Sequence, residues 1–288
     1  MKRDLFITKK CEVKRVGNTI NVIGENQTRK VPISVISNLF IFGNSKITQG
    51  AKNFLLRNGI DIYFLSTSGS LNGILSSTKL NSNYKNRLKQ YQAYQNPFSI
   101  AKLFVLEKIK SIEKVLNRSL NRYTKKVENV DNLDSLRGVE GAVSLYLFKK
   151  LREDLKSVGI EFERRSYNPP KDEVNSLLSL VYTLYYGYLY SIVLSSGLDP
   201  YIGFLHQKRG THAPFVSDLM EPQRAKLTNF VAELFLKREV TLKDFDSNRK
   251  LKNEKLGEII SKYSKEFIFQ ENRQKELKEF LECIIKEF

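Results

Sequence analysis

Hydrophobic and polar positions alternate along roughly the first 77 residues, and from Tyr84 onward they recur every three to four. The two-residue period marks Leu5-Phe6-Ile7, 11–16, 19–23 and 29–33 as short strands, with Gly17-Asn18 as a tight hairpin turn. The pattern continues at 39–42, 60–65 and, after Ser68-Gly69, in a last hairpin strand around 71–75. Between them Ile47, Ala51, Phe54 and Leu55 predict one short amphipathic helix stopped near Asn58-Gly59.

The run TKLNSN at 78–83 is polar and aperiodic and reads as a linker. Asn96-Pro97 ends one helix and starts a long one whose apolar side carries Ile100, Leu103, Phe104, Ile109, Ile112, Val115 and Leu116. Asp134 is the expected cap of a helix spanning Leu136 to Leu155, and Asp172 that of an uncharged helix after it. Further helices are expected over 214–237 and, as one or two, over 250–288. The predicted fold class is multi-domain α and β: a small β-rich, sandwich-like amino-terminal domain (1–77), a linker and connecting helix (78–97), and a larger all-α domain (98–288). The chain shows no Walker loop, dinucleotide fingerprint or G-x-S-x-G elbow, which argues against the P-loop, Rossmann and α/β-hydrolase classes.

Composition adds a partner. Lys plus Arg number 48 against 31 acidic residues in 288, a net charge of +17, and such an excess attracts polyanions, above all nucleic acid, with an anionic membrane surface as the rival. No charged residue occurs from Val174 to Leu198, long enough to span a bilayer. Asn175, Thr183, five Tyr and several Ser in that stretch favour a buried core helix instead. Two distant cysteines, Cys11 and Cys283, make no disulfide framework, and the opening MKRDLFITKK has no apolar core of a signal peptide. A reduced, cytoplasmic setting is expected.

The stretch GLDPYIGFLHQKRGTHAPFVSDLMEPQR at 197–224 holds both histidines of the chain, His206 and His212, with Asp218 and Glu221 one helical turn apart. One imidazole with carboxylates suits Mn²⁺ and tolerates Mg²⁺. The same acids could instead complement a helix dipole, with His206 an ordinary polar residue; spacing alone leaves both open. His212 reads as a loop residue. In Arg137-Gly138-Val139-Glu140-Gly141, a Glu between glycines is poor helix design; it permits either close approach of a ligand or a simple kink. Arg164, Arg165 and Tyr167 form a basic, aromatic loop suited to phosphates and bases, and Lys208, Arg209 and Arg224 add charge near the candidate site.

RGVEG at 137–141, NPPKDEVNSLLS at 168–179, GLDPYIGFLH at 197–206 and DLME at 218–221 occur in the order and spacing of the CRISPR-associated spacer integrase and endonuclease family, the "Cas-one" protein of the adaptation module. The chain resembles that family over nearly its whole length. The resemblance implies a metal site of Glu140, His206 and Glu221, with Asp218 as an acidic neighbour that supports or alternates with them, and Mn²⁺ or Mg²⁺ as the ion. It implies a homodimer, with the β-rich region for dimerisation, a small "Cas-two" partner protein bridging two dimers, and no membrane. It also implies duplex DNA as substrate, as prespacer and as CRISPR leader–repeat, joined through 3′-hydroxyls by transesterification. Thr211, His212 and Pro214 stand where members often carry Gly, Arg and Ser, and Gln223 where Phe is common. Two other functions fit the residues: a structure-selective nuclease on branched DNA, and a non-catalytic DNA-binding scaffold.

Overall fold

The structure is a computed structural model describing residues 3–25, 27–66, 71–77, 84–167, 169–207, 210 and 212–288. The expected linker at 78–83, the Ser68-Gly69 turn, Asn168, Lys208, Arg209 and Thr211 therefore lie outside the described residues. The chain forms two compact units, 1–88 with 186–199 and 89–185 with 200–288.

The first unit is a pair of four-stranded sheets. One has the order β1 (Arg3–Ile7), β5 (Ile36–Phe42), β7 (Ile62–Leu65), β8 (Leu71–Leu75); the other runs β4 (Thr28–Pro32), β3 (Thr19–Ile23), β2 (Glu12–Val16), β6 (Lys46–Ile47). β2, β3 and β4 form the expected antiparallel meander, closed at Gly17 with φ 58°. The first sheet departs from a hairpin series, because β1 pairs with β5 and β5 with β7 in parallel. The parallel return from β5 to β7 is made by α1 (Gln49–Arg57), capped by Thr48. Val13 and Ile20 of one sheet, Leu39 and Ile41 of the other, and Phe54 and Leu55 of α1 close one core, so the unit is a sandwich with a helix.

The outer face of the first sheet carries a ladder of rings: Phe6 on Phe40 and Phe40 on Tyr63, each with centroids 4.7 Å apart. Tyr188 covers it, 5.7 Å from Phe6 and 6.1 Å from Phe40. That contact explains why 186–199 belongs to the β unit although its periodicity is helical. The charge-free segment forms one helix, Glu173–Ser195, long and apolar enough to cross a membrane by composition, with 67% of its most apolar window buried inside the structure.

The second unit is helical: α2 (Tyr84–Ala93) enters it, followed by α3 (Phe98–Leu116), α4 (Asn121–Asn129), α5 (Leu133–Ser157), the first half of α6 (Glu173–Ser195), α7 (Pro214–Leu236), α8 (Asn253–Tyr263) and α9 (Glu271–Lys286). α3 packs against both α5 and α7. Asp172 caps α6 as expected, accepting from Asn175 N at 2.7 Å. The cap of α5 is Asn132, which accepts from Ser135 N at 2.8 Å; Asp134 sits in the first turn and pairs with Arg137 instead. α5 also runs without a break through Gly138 and Gly141, so the kink reading of that motif is not what forms. Neither glycine has an atom within 4 Å of where a Cβ would stand; both leave bare, exposed helix surface beside Glu140.

Leu39→Ala, at a position 0% exposed, is expected to destabilise the β unit by about 2–5 kcal/mol in urea unfolding, whereas Val16→Ala, 55% exposed, costs less than about 1 kcal/mol. Equal losses at the two positions would contradict the sandwich core.

Candidate active site

The site is built on a loop, 200–206, pinned from several sides within the helical unit. Asp218, on the second turn of α7 and 0% exposed, does most of the pinning. Its Oδ2 accepts from Phe204 N at 2.6 Å and Leu205 N at 3.1 Å; its Oδ1 accepts from His206 N at 2.9 Å and contacts His206 Nδ1 at 2.8 Å. Gln90 Nε2 donates to Ile202 O at 2.8 Å, and Arg137 Nε donates to Leu205 O at 2.8 Å. Phe215 N, an orphan donor of the uncapped α7 start, donates to Pro200 O at 3.0 Å. Gly203 lies so near that start that a Cβ would stand 2.5 Å from Pro214 Cβ, so the loop reaches its place only with glycine there.

Asp218 and Glu221 are both buried and both lie beyond the first turn of α7, which contains no acid. The helix-dipole reading therefore does not hold for them. Glu221, 2% exposed, takes Arg224 Nε on Oε1 at 2.8 Å and Lys108 Nζ on Oε2 at 2.6 Å, and His206 Nε2 lies 3.7 Å from Oε1. Burial pushes the Glu221 carboxyl up, but the charges of Arg224, Lys108 and His206 outweigh it and hold it well below the usual carboxylate range. For the His206 imidazole, burial acts downward; the Asp218 hydrogen bond and the charges of Asp218 and Glu221 overcome it and raise its pKa. Glu140, on α5, also holds Lys108 Nζ on its Oε1, which receives Ser144 Oγ at 3.1 Å as well.

Glu140, Glu221 and His206 are thus brought together, with Lys108 between the two glutamates. Lys108 is the member the sequence reading missed. Its signal was available: it stands at i+4 spacing between Phe104 and Ile112, a charge inside the apolar stripe of α3. Among the described residues no three of His, Cys, Asp and Glu form a ready-made metal cluster. The donor set nonetheless fits a hard divalent ion: two carboxylates share one cation, and Asp218 orients His206 through Nδ1 so that Nε2 faces Glu221.

The basic loop divides in two. Arg164 and Tyr167 are exposed, Tyr167 at 74%. Arg165 turns inward, giving Nη1 to Asn175 Oδ1 and Nη2 to Ser179 Oγ, each at 3.0 Å. Asn175 is fully buried and also takes Ser166 N at 2.8 Å and gives to Arg164 O at 2.9 Å, so this one amide of the NPPKDEVNSLLS segment organises the loop. Arg165 and Arg224 both lie over the Tyr182 ring, 5.4 and 5.2 Å from its centroid, which ties the loop to the site.

A sandwich-plus-helical architecture with a carboxylate–imidazole cluster on a glycine-dependent loop defines a narrow class, and comparison with known proteins identifies it. The model of the family "CRISPR associated protein Cas1" matches residues 5–265. A CRISPR-associated endonuclease Cas1 of Thermodesulfovibrio yellowstonii is 32% identical over 280 residues, covering 90% of this chain and 86% of that protein. One of Thermus thermophilus is 33% identical over 246 residues, covering 81% and 74%. In fold, the chain is similar to a Cas1 protein from Thermotoga maritima, with a TM-score of 0.76 and 24% identity over 99% of this chain and 96% of that one. It is also similar to a chain of a partial Cas6-RT-Cas1–Cas2 complex (TM-score 0.76, 22% identity, 96% and 92% covered) and to a casposase bound to integration product (0.66, 20%, 93% and 83%). The chain belongs to the Cas1 family.

Asp218→Asn replaces one acceptor oxygen by a donor and leaves two loop donors unmatched. The expected loss is about 2–4 kcal/mol in chemical denaturation; a loss below about 0.5 kcal/mol would show that Asp218 does not hold the loop. Gly203→Ala is expected to lower stability by about 1–3 kcal/mol through its overlap with Pro214, and an unchanged melting temperature would contradict the close approach.

Proposed function

We propose that this chain is a metal-dependent DNA endonuclease and integrase of CRISPR adaptation. It joins the 3′-hydroxyl ends of short duplex DNA into the CRISPR array by transesterification. The observation that carries the reading is the meeting of Glu140, Glu221 and His206, from α5, α7 and the 200–206 loop, at one half-open locus of a strongly basic Cas1-family chain. Glu140, His206 and Glu221 would hold Mn²⁺ or Mg²⁺. Bound there, such an ion lowers the pKa of an attacking hydroxyl and neutralises charge on the scissile phosphate.

The protein's own groups supply position and charge. Asp218 keeps His206 Nδ1 engaged and so fixes which ring nitrogen faces the reacting centre. Arg224, held by Glu221 and stacked on Tyr182, places a guanidinium at the edge of the site, where it can take a phosphate oxygen. Arg164 and Tyr167 are free to contact the strand beyond it. A +17 chain binds the DNA backbone, and phosphate contacts position DNA without reading its sequence, which suits an enzyme accepting many spacers.

The relatives are named endonucleases, and structural neighbours include Cas1–Cas2 complexes and a Cas1–DNA complex. These names support DNA as substrate and a Cas2-type partner; we take the DNA as prespacer and leader–repeat, and the partner as bridging two homodimers. The dimer contact is assigned to the β-rich region 1–77 and catalysis to 98–288. The name endonuclease also supports a second use of the same site, in which water replaces the 3′-hydroxyl and DNA is cut; branched DNA is the substrate in this second reading.

His206→Ala, at a side chain 35% exposed, is expected to reduce strand transfer by about 10²-fold or more while DNA affinity stays within about twofold. Joining at the original rate would sink the proposed site, and joint loss of binding and joining would favour a DNA-binding scaffold.

A further inference from the structure

Lys108 stands out among the buried polar groups. It is 1% exposed, on the helix that packs against both α5 and α7, and its ammonium contacts Glu140 Oε1 and Glu221 Oε2. Burying a lysine side chain is costly unless carboxylates pair with it, and here Lys108 also stands between two carboxylates. The other oxygen of Glu221 is engaged by Arg224. A cation that binds both glutamates therefore meets Lys108 on Glu140 Oε1 and Glu221 Oε2, and Arg224 on Glu221 Oε1.

We infer that Lys108 is an internal counter-cation that competes with a divalent metal for Glu140 and Glu221, so that the ion binds by displacing the ammonium from at least one of them. The inference rests on the reading of Glu140, His206 and Glu221 as metal ligands. It makes metal occupancy a property that the chain holds in check with one side chain. Lys108 is thus a positioning residue: it holds the carboxylates in register and weakens the affinity of the ion that would replace it. A single positive charge within a few ångströms of a divalent ion opposes binding strongly, even in a well-screened site.

The test is Mn²⁺ binding by the full chain without DNA, read from the electron paramagnetic resonance of the free ion, for the unsubstituted chain, Lys108→Met and Lys108→Arg. Lys108→Met is expected to bind Mn²⁺ on the order of tenfold tighter or more, and Lys108→Arg no tighter than the unsubstituted chain. Without added metal, Lys108→Met melts lower, and it gains more from Mn²⁺ in thermal unfolding than the unsubstituted chain does. Adding Glu221→Gln to Lys108→Met removes the gain, which locates the ion. Should Lys108→Met fail to fold alone, recovery on refolding with Mn²⁺ supports the competition, and failure to recover at any Mn²⁺ concentration overturns it. If the unsubstituted chain binds Mn²⁺ through Glu221 but Lys108→Met binds no tighter, the competition is wrong and the metal reading stands. If neither chain binds Mn²⁺, the metal reading itself fails, and the inference with it.

Discussion

The buried carboxylate of Asp218 is the constraint on which the site depends. Four contacts to three consecutive residues, 204–206, make the end of the loop a fixed platform for His206. A carboxylate taken wholly out of water must be compensated by donors, and here the donors are backbone amides that have no helix or strand to join. Glycine at 203 removes the steric obstacle to their approach. The geometry of the candidate site and the stability of the fold are therefore the same set of bonds at this point.

Electrostatic balance organises the rest. Glu140 and Glu221 face Lys108, Glu221 also faces Arg224, and the imidazole of His206 stands between Glu221 and Asp218. None of these charges is supported by water alone, and each holds another in place. Glu221 stays ionised despite its burial because cations approach both of its oxygens. Arg224 is likewise held charged: burial disfavours its cation, and the nearby Glu221 charge more than reverses that. A cluster so interlocked can be loaded with an ion or a phosphate only by exchanging partners, and Lys108 and Arg224 are the groups positioned to exchange.

The sequence made the antiparallel meander, α1, the long helices and the Asp172 cap legible, because each follows from local periodicity, a turn glycine or a capping side chain. The β1–β5–β7 parallel pairing was not legible: it depends on which distant strands share a core, and Leu39, Ile41 and Ile62 look the same in either topology. The four motifs located Glu140, His206, Asp218 and Glu221, but not the division of labour among them. That Asp218 holds backbone amides, that Arg165 points inward to Asn175, and that Gln90 and Arg137 clamp the loop are consequences of tertiary contact. Lys108 is the instructive case, since a lysine on an apolar stripe announces a buried counter-charge without saying which acids supply it.

The central claim, that Glu140, His206 and Glu221 form the ion-binding centre of this Cas1-family chain, is tested most directly by anomalous diffraction at the manganese edge from crystals of the chain soaked in Mn²⁺. The account predicts one strong peak in the helical unit, within coordinating distance of Glu140, Glu221 and His206 Nε2, with Lys108 Nζ withdrawn from at least one glutamate. A peak elsewhere, or an undisturbed Lys108 bridge with no manganese beside it at saturating metal, would contradict it.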